Sequence, residues 1–130
     1  MTYGEIYNLA LAYLNESATA DCADYEDRAG YILASALSYC APADKKYRQA
    51  NGLEALKLAK LPAYVELESE CPLSDVFVAP IAYYLAAMLC LDENEALSEG
   101  LFDRYTDAIA TLMCSLPTAT EKISDHYSIL

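Results

Sequence analysis

Between Val76 and Leu91 the chain runs without a single charged side chain. As a helix this stretch is about 24 Å long, short of a hydrocarbon layer of about 30 Å, and Pro80 interrupts it. The pattern predicts a buried helix over about Asp75–Leu91, capped by Ser74 or Asp75. Pro80 either sits in its first turn or kinks it, because proline removes one backbone donor. Val76, Phe77, Ile81, Leu85, Met88 and Leu89 make this helix apolar on nearly every face. Such a helix is surrounded by others or covered by another subunit. The expectation is that a lone four-helix fold leaves part of it for a neighbour.

Three further helices follow from the spacing of apolar residues. Thr2-x-x-Glu5 is a capping-box pattern, and Ile6, Leu9, Ala10, Tyr13 and Leu14 then form one stripe. That helix should fail near Asn15–Ser17. A second helix is expected over about Asp24–Cys40, where Tyr25, Ala29, Ile32, Leu33, Ala36, Leu37 and Cys40 repeat at three and four. Asp24, Glu26 and Asp27 suit the positive end of its dipole. Gly30 inside it suggests a close helix crossing, and Pro42 is expected to end it. Asp92-x-x-Glu95 reads as another capping box opening a helix over about Asn94–Leu116, with Leu97, Leu101, Tyr105, Ala108 and Leu112 in one row and Phe102, Ile109 and Met113 beside it. The short link before it predicts an antiparallel helical hairpin.

The expected fold class is therefore mainly α. It is a bundle of about four helices in a single domain over residues 1–116, followed by a tail over 117–130. Residues 41–52 hold the basic cluster Lys45, Lys46 and Arg48, read either as a patch for an acidic partner or as a solvated loop or helical turn closing at Asn51-Gly52. Tyr64-Val65-Glu66-Leu67-Glu68 alternates between Pro62 and Pro72, so a short β-hairpin or an extended excursion is expected around residues 56–72. The tail, rich in Ser and Thr with an apolar end, is either a frayed terminus or an arm that docks on a neighbouring subunit.

Charge and composition narrow the function. The chain of 130 residues carries 20 acidic and 8 basic side chains, a formal charge of −12. A nucleic-acid binder needs a basic face to displace counterions, and an anionic membrane would repel this chain, so neither partner is expected. The start, Met1-Thr2-Tyr3-Gly4-Glu5, lacks the basic region of a signal peptide. The five cysteines, Cys22, Cys40, Cys71, Cys90 and Cys114, form no C-x-x-C pair and are read as reduced core thiols in a cytoplasm. One histidine, His126, has no ligand neighbour at metal spacing, and no nucleophile, phosphate-loop or zinc motif is present. Asp92-Glu93-Asn94-Glu95 is the densest acidic run, but capping accounts for it better than a bound ion. The expectation is no enzyme, no cofactor and no metal. Twelve tyrosines without a tryptophan suit surfaces that are sometimes covered. Tyr83 and Tyr84, being adjacent, must point to different sides of their helix. The residues expected to make subunit contacts are Val76, Phe77, Ile81, Tyr83, Tyr84 and Met88, with His126, Tyr127, Ile129 and Leu130 in the tail.

Over about residues 73–112 the chain resembles a known family. Pro80-Ile81-x-x-Tyr84-Leu85-Ala86-Ala87-x-Leu89, the acidic break Asp92-Glu93-Asn94-Glu95, and Phe102-x-x-Tyr105-x-x-Ala108-Ile109 are similar to the C-terminal half of small tailed-phage and prophage head–tail connector (adaptor) proteins. The resemblance implies a non-enzymatic homo-oligomeric ring at the portal vertex, with the portal and other virion proteins as partners. Its place would be the bacterial cytoplasm during assembly and the virion afterwards. Two other readings stand beside it. One is a small acidic inhibitor that mimics DNA, which needs carboxylates arrayed along one face. The other is a cytosolic helical protein-binding module.

Overall fold

The computed structural model describes residues 1–15, 23–57 and 60–117. Among them four helices appear in chain order: α1 (Tyr3–Tyr13), α2 (Ala23–Ala50), α3 (Val78–Cys90, entered through a 3-10 turn at Asp75–Phe77) and α4 (Glu95–Cys114). The mainly α bundle expected from the sequence is what the chain forms. All four helices contribute to one hydrophobic cluster. The tail expected over 117–130 lies outside the described residues from 118 onward.

Helix α1 starts where its capping box predicts. The Thr2 hydroxyl accepts from the Glu5 amide at 3.2 Å, and the Glu5 carboxylate accepts from the Thr2 amide at 3.2 Å. It closes at Leu14, and Asn15 turns away with φ 58°, a left-handed conformation that asparagine tolerates. Ile6, Ala10 and Leu14 of the expected stripe are buried, joined by Tyr3, Tyr7 and Leu11.

Helix α2 corrects two expectations. It does not stop at Pro42 but runs through residues 41–50, about 42 Å in all. Proline in a helix interior deprives the carbonyl four residues back of its donor. Here Ser38, Tyr39 and Pro42 are all exposed, so that carbonyl meets water. Beyond Pro42 the helix is held by tertiary contacts: Asp44 is buried, and the Tyr47 ring meets Phe77 edge-on at 6.2 Å. The basic cluster also divides, because Lys45 and Lys46 face solvent while Arg48 turns inward to Asp44.

The excursion after α2 is extended and contains no strand among the described residues. Its ladder contact is an isolated antiparallel bridge between Thr2 and Glu70. The expected alternation survives as burial, with Val65 inside and Tyr64, Glu66 and Glu68 outside. The hairpin reading fails because this strap bonds chiefly to the start of α1 and to Gly30 of α2, with a turn from the Ser69 amide to the Glu66 carbonyl as its internal backbone bond among the described residues. The Tyr3 amide donates to Ser69 at 3.0 Å and the Gly4 amide to Leu67 at 2.7 Å, so strap carbonyls satisfy two orphan donors of α1. Gly30 marks a close approach of this strap, not a helix crossing. A Cβ there would lie 2.2 Å from the Tyr64 ring and 2.7 Å from the Val65 carbonyl oxygen.

The lower end of the strap is clasped by α2. Asp44 accepts from Arg48 Nε at 2.8 Å and from the Ser74 amide at 3.0 Å. Arg48 also donates to the carbonyls of Glu54 and Pro72. A buried carboxylate is costly unless paired and fully hydrogen-bonded, and this one has both kinds of partner.

Helix α3 is the hub, packing on α1, α2 and α4. Pro80 sits in its first turn, where its missing donor has no partner to lose. Its C-terminal carbonyl at Leu89 accepts from Arg28 of α2 at 3.1 Å, which places a cation at the negative end of the dipole. Most of this segment is enclosed within one copy, while Val76 and Ala79 are exposed and Val78, Tyr83 and Met88 are partly so. Phe77, Ile81, Leu85, Ala86 and Leu89 are enclosed within one copy, because α1, α2 and α4 each cover a different side.

The antiparallel partner α4 follows after a four-residue turn. Its cap is Asn94, whose side chain accepts from the Leu97 amide at 3.1 Å, and not the Asp92–Glu95 box. Ser98 is fully buried and donates to the Ala87 carbonyl at 2.8 Å, so a small, satisfied polar residue lets α4 approach α3 closely. Farther along, Phe102, Tyr105, Ile109, Leu112 and Met113 are only half-buried, as befits a helix covered on one side.

Candidate interaction surfaces

Catalytic chemistry finds little to use among the described residues. No group of three or more His, Cys, Asp or Glu is placed there to hold a metal ion. Burial pushes the Cys40 thiol up to about 11, and Cys71 and Cys90 are raised for the same reason. Protonated thiols are poor nucleophiles at neutral pH. His126 lies outside the described residues. No described helix is long and apolar enough to cross a membrane.

The residues expected to make subunit contacts fall into three groups. Phe77, Ile81 and Tyr84 are buried and cannot be reached without opening the bundle. Tyr84 stands at the centre of an aromatic cluster, with Phe102 at 5.9 Å, Tyr105 at 5.3 Å and Tyr39 at 5.7 Å between ring centroids. Burial raises its phenol and that of Tyr105, whose oxygen lies 3.9 Å from Cys40 Sγ. Val76, Tyr83 and Met88 retain exposure. Tyr83 stacks on Tyr13 at 4.5 Å and, with Leu97, Gly100 and Arg104, lines a recess of about 270 Å³. Tyr83 and Tyr84 thus point to different sides, as their adjacency requires. Tyr127, Ile129 and Leu130 lie, like His126, outside the described residues.

Three surfaces emerge that the sequence did not single out. The first is an aromatic face on α2, where Tyr31 is 62% and Tyr39 64% exposed. Tyr31 meets Tyr64 of the strap at 4.8 Å between centroids, in an edge-on geometry. The second adjoins it. Glu26 and Asp27 of α2 and Glu66 and Glu68 of the strap surround the Tyr31–Tyr64 pair around a recess of about 400 Å³. The two pairs of carboxylates lie far apart in sequence, so only the close approach at Gly30 brings them together. The third is an apolar groove of about 590 Å³ between the end of α2, the start of α3 and the last turns of α4, ending at Leu116 and Pro117. Their signal in the sequence is the high tyrosine count, which says that surfaces exist without saying where.

Taken together, the exposed chemistry of these surfaces is aromatic, acidic and apolar. Compared with protein-family models, with curated proteins and with solved structures, the chain matches none.

Proposed function

We propose that this chain is a non-enzymatic structural subunit of a tailed phage or prophage, a head–tail connector that assembles as a ring at the portal vertex. The observation that carries the reading is the α3–α4 hairpin. The residues that resemble the connector family are the ones that build it. Pro80, Ile81, Tyr84, Leu85, Ala86, Ala87 and Leu89 form the buried side of α3, and Phe102, Tyr105 and Ile109 pack toward the same core from α4. Because most of α3 is enclosed within one copy, the subunit contact proposed here lies elsewhere. Tyr31 and Tyr39 on α2 supply it, as large rings that lose little conformational freedom when covered. A head-to-tail contact of this face with a different face of the next copy closes a ring. The acidic exterior suits a lumen through which DNA passes without adhering.

Mass photometry and negative-stain imaging over a range of concentrations, alone and with a portal ring, test the reading. Closed rings, formed alone or on the portal, are the expected result. A monomer under every condition contradicts it.

A second reading draws on one observation. The four carboxylates around Tyr31 and Tyr64 form an acidic wall contributed by two segments, which favours a small acidic inhibitor that occupies a basic DNA-binding protein. A salt-sensitive one-to-one complex with such a protein, and no ring, would favour it over the connector.

A further inference from the structure

Where α1, α3 and α4 meet, a recess of about 270 Å³ runs against the acidic character of the chain. The half-buried Tyr13 and Tyr83 make one wall, stacked at 4.5 Å between centroids and 16° between planes. Leu97, Gly100 and Leu101 of α4 line the other side, and Arg104 stands one turn farther along. No carboxylate lines this recess, although the chain has 20 acidic residues against 8 basic ones. Arg28 pairs with Asp24 and Arg48 with Asp44, whereas Arg104 makes no hydrogen bond or ion pair among the described residues. Its charge still reaches the ring pair: burial and the Tyr83 hydroxyl push the Tyr13 phenol up, and Arg104 pulls against them. Gly100 points the same way. A glycine weakens a helix interior, yet a Cβ at this one would meet nothing within 4 Å. No close neighbour demands it, and its missing side chain keeps the recess open.

We infer that this recess binds a monocyclic aromatic carboxylate, its ring laid against the Tyr13–Tyr83 pair and its carboxylate held by the Arg104 guanidinium. Each part of the ligand answers a part of the site. An aromatic ring gains from offset or edge-on contact with tyrosine beyond the area it buries. A guanidinium takes a carboxylate through two parallel hydrogen bonds, which fix its orientation as well as its charge. A cavity of about 150 Å³ suffices for benzene, so this recess accepts one ring with its carboxylate and falls short of the sites that enclose drug-sized ligands. The formal charge of −12 opposes any anion, but it is spread over the chain and screened beyond about 8 Å at physiological salt, whereas Arg104 acts at contact. A neutral apolar ligand would leave Arg104 without a partner, and a cation would be repelled by it. This inference does not depend on the connector reading.

Titration of the full-length chain with benzoate, followed in the amide spectrum of isotope-labelled protein, tests it. The expected result is saturable shifts centred on Gly100 and Arg104, with benzamide and cyclohexanecarboxylate each bound about tenfold more weakly. Benzamide keeps the ring and loses the charge, and cyclohexanecarboxylate keeps the charge and loses the aromatic face. Arg104→Gln should weaken benzoate about tenfold and leave benzamide unchanged, a split that a merely structural role for Arg104 would not produce. Gly100→Leu should abolish binding by filling the recess. Both positions are exposed on α4, so the helical spectrum of each variant should match the wild type. Equal binding of benzoate and benzamide overturns the proposal, as does benzoate binding that survives both substitutions. So does the absence of a saturable shift at about 10 mM benzoate, the weak limit for a ligand of so few atoms.

Discussion

The α3–α4 hairpin and the strap over residues 60–74 hold their places by opposite means. The hairpin is apolar packing: Phe77, Ile81, Leu85 and Leu89 are enclosed on all sides, with one buried hydrogen bond from Ser98. The strap has little apolar surface inside, chiefly Val65 and Leu73, and is fastened by polar clasps to residues far away in sequence. Asp44 and Arg48 hold its lower end, and the amides of Tyr3 and Gly4 hold its upper end. Packing of the first kind is cooperative and hard to lose in part. Fastening of the second kind can open locally while the bundle stays folded.

The largest effect should come from the hairpin side. Phe77→Ala removes the largest fully buried side chain and should cost about 3–5 kcal/mol, read as a lowered urea midpoint with global loss of protection. Asp44→Ala leaves Arg48 without its carboxylate and the Ser74 amide without its acceptor, for about 3 kcal/mol. The two variants differ in where the loss appears. Hydrogen exchange should rise first at the strap-held amides of Ser74, Val65 and Cys71 in Asp44→Ala, and uniformly in Phe77→Ala. Equal exchange profiles would erase the distinction between the two regions.

Cys40 lies where the regions meet, hydrogen-bonded to Tyr105 of the hairpin and close enough to Cys71 of the strap to feel its charge. Its thiol is raised from 9.0 to about 11 by burial, so the folded state binds this proton more tightly than the unfolded chain does. The stability this proton contributes is full below pH 9. It is lost as pH rises from about 9 to about 11, at roughly 1.4 kcal/mol per tenfold fall in proton concentration. Urea titrations across that range should show the decline, and Cys40→Ala should reduce its slope.

Gly30→Ala should cost about 1–2 kcal/mol. The gain of nearly 1 kcal/mol expected from alanine in a helix is outweighed by contact with the Val65 carbonyl and the Tyr64 ring. A stabilised variant, measured by thermal unfolding, would mean that the strap can lift away from α2 at no cost. Thr2→Ala, which breaks the cap of α1, should cost about 1 kcal/mol.

The same contrast explains what can be read from the chain in advance. Hairpin and helix positions follow from contacts three and four residues apart, so the apolar spacing of α1, α3 and α4 is legible, as is the cap at Thr2. The strap depends on partners such as Gly30 and Asp44, twenty or more residues away, which leave no local pattern. Local reading cuts α2 short because Pro42 carries a strong local signal, while the burial of Asp44 and the Tyr47–Phe77 contact that carry the helix past it are tertiary. Cap choice at Asn94 over Asp92 turns on a two-residue shift that the acidic run obscures. Hydrophobicity on nearly every face of α3 signals the burial of most of it, while Ala79 stays exposed and Val78, Tyr83 and Met88 are partly so. It cannot say whether the cover comes from the same chain, and three elements of that chain supply it. Of the expected contact residues, Val76, Tyr83 and Met88 keep exposure, whereas Tyr31, Tyr39 and Tyr64 become visible only once the strap and α2 are in place.

Sedimentation velocity of the wild-type chain beside a Tyr31→Ala, Tyr39→Ala variant tests most directly whether the protein works by assembling through its aromatic face. The account predicts closed rings for the wild type and a folded monomer for the variant, with an unchanged helical spectrum. A variant that assembles as the wild type does, or a wild type that stays monomeric even beside a portal ring, would contradict it.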